Sequence, residues 1–399
     1  MTPDPTHHRG HSRALVEAAR NKARVQGLTH EFYRYPARFS PVFVRAAIQA
    51  YSAPGDWVVD PFVGGGTTLV EAMALGRNAL GIDISSLSNF ICEAKTQILT
   101  DRDFASFGHW QERLPQVINM HAPSRRSESY AEAGYYRNLD GAPFWRIKKA
   151  IEQCLASVER VRLGQTQTLA RCVVLKTAQW ALDSRKTLPS VSRFRDELAR
   201  QARLMQKAAH SFREQIEALG LSEPPRAISL NRTTIGAEAE EAVQQIGPPK
   251  LIVTSPPYPG IHVLYHRWQV DGRREAPAPF WIAGKLDGAG SSYYTMGDRK
   301  NPSLHTYFEN LRATFSSIAA IAGAETTIVQ MVAFSHGEWQ LPKYLAVMEE
   351  CGLEEQVPWD LPMTDGRLWR EVPNRRWHAH QKVESPGARE VVLVHRKRI

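Results

Sequence analysis

The sequence predicts an α/β fold, with a mostly parallel sheet covered by helices on both faces and a helical insertion breaking into it. Three observations carry this reading. Short apolar runs, among them WVVD (57–60), NALGIDIS (78–85) and the start of KLIVTSPPY (250–258), each lead into a turn and then a helical stretch. Such alternation needs crossovers between parallel neighbours, and crossover helices cover both faces. From about 101 to 222 the alternation disappears, and Leu, Ala, Arg, Glu and Gln dominate as they do in packed helices.

Taken in order, residues 1–28 read as a polar, basic arm that becomes helical near 12–26. HEFYRYPARFSPVFVRAAIQAY (30–51) starts extended and enters a helix at Pro41, which suits a first helical turn, with Ser40 as N-cap. WVVD runs through a glycine turn into the helix of TTLVEAMALG. NALGIDIS is a second short strand ending on an acid, and LSNFICEAKTQIL (87–99) is helical. After the insertion, SEPPRA (222–227) is a proline break. AISLNRTTI (227–235), KLIVTSPPY (250–258), ETTIVQMVAF (325–334) and REVVLVHRK (389–397) supply later strands. Helices are expected over EAEEAVQQIG (238–247) and near 342–351. The expected division is an arm at 1–28, a principal domain at 29–100 and 223–399, and the insertion at 101–222.

Composition narrows the classes. At 399 residues and 43% hydrophobic, the chain can bury a full core without staples. Cys92, Cys154, Cys172 and Cys351 stand 62, 18 and 179 positions apart, which suits neither a zinc knuckle nor a redox pair, so no metal is expected. No apolar run approaches the ~18 residues of a membrane span. The opening MTPDPTHHRG lacks the apolar core of a secretory signal, so the reducing cytoplasm is the expected compartment. The net charge of +9 permits a polyanionic partner. Between Arg160 and Arg213, twelve Lys or Arg face only Asp183, Asp196 and Glu197, an excess equal to that of the whole chain. A solvated helical face accounts for such a run, and so does a surface that meets phosphates.

Chemistry concentrates at two turns. In DPFVGGGTT, Gly64, Gly65 and Gly66 let a ligand lie against the main chain beside a helix N-terminus. No lysine follows them, which disfavours a nucleoside triphosphate, and Leu69 occupies the third glycine place of the dinucleotide fingerprint. About twenty residues on, Asp83 can accept both hydroxyls of a ribose. Singly, the glycines are a tight turn and the acid a helix cap. Together they point to a nucleoside cofactor held without a phosphate clamp, a description that S-adenosylmethionine meets.

KLIVTSPPY (250–258) is the other turn. An apolar strand delivers Ser255, Pro256, Pro257 and Tyr258 to its carboxyl end, where open α/β sheets bind ligands. Two prolines fix the backbone, so the carbonyls of Ser255 and Pro256 point in set directions and can accept from an exocyclic NH2. Tyr258 offers an aromatic face to a planar base. A nucleobase amino group is a poor nucleophile because its lone pair is delocalised. Two acceptors on its hydrogens draw the nitrogen toward a pyramidal shape, and positioning of an in-line sulfonium methyl supplies much of the rate.

DPFVGGGTT, GIDIS, TSPPY and the aromatic HEFYRYPARF together resemble the S-adenosylmethionine-dependent DNA amino-methyltransferases that modify cytosine N4 or adenine N6. The likeness covers roughly 30–96 and 225–265, with REVVLVHRK similar to the family's last strand. It implies a Rossmann-like, mostly parallel seven-stranded methyltransferase sheet and S-adenosyl-L-methionine as cofactor. It also implies that Ser255, Pro256, Pro257 and Tyr258 are catalytic. Tyr35, Pro36, Phe39, Asp60, Pro61, Gly64, Gly65, Gly66, Thr67, Thr68 and Asp83 would hold the cofactor, with His30 close by or merely structural. Ser255 in the first loop position resembles the cytosine-N4 enzymes more than the adenine enzymes, which usually carry Asp or Asn there.

The resemblance puts the insertion where target recognition belongs, and its basic window makes Arg185, Lys186, Arg193 and Arg195 candidate DNA contacts. His266 and Arg267 join them from GIHVLYHRWQVDGRRE (260–275), where His262, Tyr265 and Trp268 suit an unstacked base, and RLWREVPNRRWHAH (367–380) is a candidate second wall. Double-stranded DNA is the implied partner, with a cognate restriction endonuclease acting on the same site, and a bacterial, nucleoid-associated setting. No cysteine follows a proline, so the covalent route of carbon-5 methylation is absent. The rivals are an adenine-N6 enzyme, an RNA base amino-methyltransferase, a protein-glutamine enzyme, and a silent partner that only grips nucleic acid.

Overall fold

The structure, a computed structural model, describes residues 5–23, 25–35, 39–124, 127–260, 267–272, 274–288, 294–297, 301–359, 365–371 and 389–398. The chain opens with α1 (Pro5–Arg20), earlier than the helix expected at 12–26, and α2 (Pro41–Tyr51). Ser40 caps α2, accepting from Phe43 N–H at 3.5 Å. Then follow β1 (Trp57–Asp60), α3 (Thr67–Ala74), β2 (Asn78–Asp83) and α4 (Ser86–Thr96). The insertion is helical as expected: α5 (Asp101–Val117), α6 (Glu128–Glu132), α7 (Trp145–Val158), α8 (Gly164–Leu182) and α9 (Val191–Glu217). The α/β pattern returns with β3 (Ala227–Asn231), α10 (Glu241–Ile246) and β4 (Leu251–Thr254). A hairpin of β5 (Trp268–Val270) and β6 (Arg274–Ala276) leads to α11 (Ala278–Ala283), α12 (His305–Ile321), β7 (Thr327–Ala333), α13 (Gly337–Glu350), β8 (Leu353–Gln356), β9 (Leu368–Glu371) and β10 (Arg389–Lys397).

The main sheet runs β3-β2-β1-β4-β7-β10-β8. The β3–β2, β2–β1, β1–β4 and β4–β7 pairs are parallel, while β10 is antiparallel to both of its neighbours. The sheet has eight strands, one more than the seven expected, because one edge of β10 is shared. Val394–Lys397 pair with β8, and Arg389–Val392 on the same strand pair with β9. Strand order reverses between β2-β1 and β1-β4, which opens a crevice at the carboxyl ends of these strands.

Period-two alternation sends strand side chains to two cores. Val58, Val253, Val329, Met331 and Val392 pack with α1, α2 and α3 on one face. Val59, Ile252, Ile328, Val332 and Leu393 pack with α12 and α13 on the other. A third core belongs to the insertion, and it does not stop at 222: Trp268, Phe280, Trp281 and Tyr294 share it with Phe107, Ile151, Val173 and Phe194. Tyr33 joins from the N-terminal segment, and its hydroxyl accepts from Trp268 Nε1 at 2.8 Å. The hairpin after β4 therefore packs with the insertion, not with the sheet. No described helix is long and apolar enough to cross a membrane.

Candidate active site

β1 delivers Asp60 to its carboxyl end, and the chain turns through 61–66 into α3. Gly64 and Gly66 sit at φ +46° and +76°, a region closed to most side chains. A Cβ on Gly65 would lie 3.1 Å from Cβ of Tyr35, so the glycine lets that aromatic residue lie directly against the turn. Tyr35 is buried, and its hydroxyl pairs with Ser88 Oγ at 2.9 Å. Two further contacts hold the turn. Gly64 N–H donates to Asp83 Oδ2 at 2.9 Å, and the buried Lys95 Nζ donates to the Gly65 carbonyl at 2.6 Å.

The two acids differ in role. Asp60 is 2% exposed and accepts from Thr68 Oγ1 (2.6 Å), Thr254 Oγ1 (2.7 Å) and Phe62 N–H (3.1 Å). It stitches β1, α3 and β4 together beneath the cavity. Asp83 accepts one backbone N–H on each oxygen, from Gly64 and from Ser85 (2.8 Å), has Ser88 as a further side-chain partner, and lines the cavity. Burial pushes both carboxyls up to about 6, against the hydrogen bonds that favour their charged forms.

β4 delivers the second turn. Tyr307 Oη donates to the Pro257 carbonyl at 2.8 Å, and Ser335 Oγ donates to the Pro259 carbonyl at 3.2 Å. Ser255 Oγ lies 3.0 Å from Tyr258 Oη, which donates to Glu390 Oε1 on β10 at 2.8 Å. Glu390 Oε2 in turn accepts from Arg370 Nε on β9 at 2.8 Å.

One cavity of about 510 Å³ joins the two turns. Its walls include Tyr35, Phe39, Asp60, Pro61, Gly64, Gly65, Thr67 and Asp83 on one side and Ser255, Pro256, Pro257 and Tyr258 on the other. The segment 232–235 after β3, with Tyr294, Met296 and Asn310, completes it. The Asp83 carboxylate and the Ser255–Pro256 turn thus face the same space. Gly66 and Thr68 stand outside these walls. Gly66 caps α3 with its missing Cβ toward Cys92 Sγ at 3.1 Å, and Thr68 holds Asp60 from behind.

Other expected residues sit elsewhere. His30 is buried and bonds Glu71 Oε1 through Nε2 at 2.6 Å, so it ties the N-terminal segment to α3 and is structural. Arg267 is bound to Asp287 Oδ2 by Nε and Nη2, at 3.1 and 2.7 Å. In the basic window, Arg185 Nε donates to the Trp180 carbonyl at 2.5 Å, and Arg195 Nη2 to that of Ile118 at 2.6 Å. Lys186 and Arg193 are exposed. Of the candidate second wall, Leu368 is buried against the sheet and Arg370 is engaged with Glu390, so the described part of it does not line the cavity. Pro36, His262, Tyr265, His266 and 372–380 lie outside the described residues.

Sequence reasoning missed Lys95, Glu390 and Tyr307, and with Glu390 the pairing of Arg370. Lys95 carried a signal: it follows Leu87 and Ile91 on the apolar stripe of α4, where an unpaired lysine would be costly. Glu390 carried another, as an acid directly before the apolar run Val391–Val394 of its strand. Nothing in the local sequence marks Tyr307.

Residues 11–88 match the family model of the DNA methylases, a stretch that includes the glycine turn and Asp83. The Type II methyltransferase M.MjaII of Methanocaldococcus jannaschii is 41% identical over 68 residues, 17% of this chain and 13% of that protein. M.BsoBI of Geobacillus stearothermophilus is 38% identical over 88 residues, 22% of this chain and 17% of that protein. The DNA adenine methyltransferase YhdJ of Escherichia coli is 41% identical over 63 residues, 16% of this chain and 21% of that protein. The chain thus spans well under two thirds of each relative's length. Among solved structures, the rRNA methyltransferase aviRa of Streptomyces viridochromogenes aligns over 99% of this chain and 94% of its own, at a TM-score of 0.34 and 11% identity. The segment holding the glycine turn and the Asp83 strand thus matches the DNA methylase family model and is similar to Type II methyltransferases, in keeping with its motifs.

Proposed function

We propose that this protein transfers the methyl group of S-adenosylmethionine to an exocyclic amino group of a DNA base, with cytosine N4 the favoured target. The single observation that carries this reading is the shared cavity, in which the glycine turn and Asp83 face Ser255–Tyr258. Asp83 would take the ribose hydroxyls. The amino end of α3, at Thr67, would favour the cofactor's carboxylate, and Tyr35 and Phe39 would pack against its chain. The cofactor supplies an electrophilic methyl on a sulfonium sulfur. Ser255 Oγ and the Pro256 carbonyl would grip the two amino hydrogens. Tyr307 and Ser335 leave that carbonyl untouched, since they bind those of Pro257 and Pro259.

An amino group paired in a duplex cannot reach such a loop, so the reading requires a base rotated out of the helix. The exposed Lys186 and Arg193 of the insertion are the candidate phosphate contacts, and a site-specific methyltransferase of this kind would pair with an endonuclease that reads the same sequence. Adenine N6 is the second reading. It is favoured by one of the matched relatives being named an adenine methyltransferase.

The test is expression in a bacterial host without DNA methylation, followed by single-molecule sequencing of its genome. Methylated cytosines at a fixed motif are the expected result. Methylated adenines would move the target base and leave the chemistry standing. No modified base, together with methylation of cellular RNA, would overturn the DNA reading.

A further inference from the structure

We propose that Glu390, held by Arg370, is a positioning residue that fixes the direction of the hydrogen bonds through Tyr258 and thereby makes Ser255 an obligate acceptor. This rests on the amino-methylation reading above.

Glu390 and Arg370 are cross-strand partners at the β9–β10 pair, and both side chains are buried. A carboxylate has lone pairs and no proton, so the contact between Tyr258 and Glu390 runs one way: the phenol donates. Tyr258 has one hydroxyl proton, and that proton is committed. At the 3.0 Å contact between Ser255 Oγ and Tyr258 Oη, Ser255 must therefore be the donor. A serine hydroxyl whose proton is directed to Tyr258 turns lone pairs toward the remaining space, and Ser255 lines the cavity. A chain of one-way bonds thus starts at Arg370 and ends at an oxygen that can only accept, as an NH2 hydrogen requires.

The same geometry explains why a hydroxyl stands at 255. A carboxylate there would face the oxygen of a phenol whose proton is already engaged by Glu390, with two acceptors meeting and no hydrogen between them. The preference for Ser is set two strands away.

A double-mutant cycle on the full chain tests this, with kcat and KM measured for transfer of labelled methyl from S-adenosylmethionine to unmethylated DNA, and melting curves recorded for each variant. Glu390→Gln turns its amide NH2 toward Tyr258 when its oxygen stays on Arg370, so the proton order reverses. We expect kcat to fall about ten- to a hundredfold with both KM values within about threefold of wild type. Tyr258→Phe should lower kcat by a similar factor. The double variant should be no slower than Tyr258→Phe alone, because Glu390 has lost the atom through which it acts. Losses that multiply, or Glu390→Gln within about threefold of wild type, would overturn the proposal.

Should Glu390→Gln not fold, Ser255→Asp carries the test. Its kcat should drop by more than about tenfold, and a value near wild type would contradict the one-way chain. Wild-type protein that methylates no nucleobase amino group would sink the functional reading itself. Wild-type activity with a multiplicative cycle would sink this proposal alone.

Discussion

The turns after β1 and β4 wall the same cavity by opposite means. The first has three glycines in succession and owes its shape to neighbours: Asp83 on its Gly64 amide, Lys95 on its Gly65 carbonyl, Tyr35 against its face. The second has no glycine between Thr254 and Pro259 and is stiffened from within by prolines, with Tyr307 and Ser335 fastening its carbonyls. The glycine turn offers backbone surface, a helix amino end and one carboxylate, which suits a polar ligand of fixed shape. The proline turn offers oriented acceptors, which suits a group that donates hydrogens. On the proposed function, one side of the cavity would hold the cofactor and the other would grip the amino group.

Breaking the second turn should have the largest effect. Tyr258→Ala removes the aromatic face and the partner of Ser255, and we expect kcat to fall by about a thousandfold while cofactor affinity stays within about threefold. Ser255→Ala should cost about a hundredfold in kcat with the same unchanged affinity. Single-turnover methyl transfer and equilibrium binding of the cofactor separate these quantities. Affinity falling as far as turnover would mean that the two turns do not have separate tasks.

The reverse pattern is expected on the other side. Asp83→Ala should weaken cofactor binding by about a hundredfold, since it removes the ribose acceptor and frees the Gly64 amide. Lys95→Met should weaken it by about tenfold through the Gly65 carbonyl alone, without touching the ligand. Calorimetry on both variants tests the order.

Titration sharpens the comparison further. Asp60 and Asp83 bind protons more tightly folded than unfolded, with carboxyls raised to about 6. Their contribution to stability is therefore complete below the ordinary carboxylate value near ~4 and is lost as pH rises through about 6. Cofactor affinity should move the other way, improving as pH rises past about 6, because the charged Asp83 is the better acceptor. Asp83→Asn should flatten the binding profile, and a profile unchanged in that variant would assign the titration elsewhere.

The smallest effect is expected in the insertion. Arg193→Glu should weaken DNA binding severalfold and reduce its salt dependence by about one charge, measured by fluorescence anisotropy across salt concentrations. Arg195→Glu should instead lower the melting temperature, because Arg195 Nη2 holds the Ile118 carbonyl.

How much was legible follows from the range of the forces involved. β1 and β10 match WVVD and REVVLVHRK residue for residue, and β2 falls within NALGIDIS, because a run of apolar side chains that must alternate between two cores is a local property. The two turns were legible because glycine and proline act on their own backbone. Long-range pairing was not. The eighth strand exists only because β10 has an edge longer than β8 can fill. Arg267, a candidate phosphate contact, is held by Asp287 twenty residues on, a pairing that the local sequence does not announce. Counting charges between Arg160 and Arg213 could not show which of them reach carbonyls of their own chain, as Arg185 and Arg195 do. A similar long-range pairing draws Trp268 and Phe280, beyond 222, into the core of the insertion.

The most direct measurement is a crystal structure of the full chain with S-adenosylhomocysteine. The account expects the ribose hydroxyls within hydrogen-bonding distance of Asp83 and the sulfur directed at the space before Ser255 and the Pro256 carbonyl. A nucleoside bound away from Asp83, or a sulfur turned from the proline turn, would contradict it.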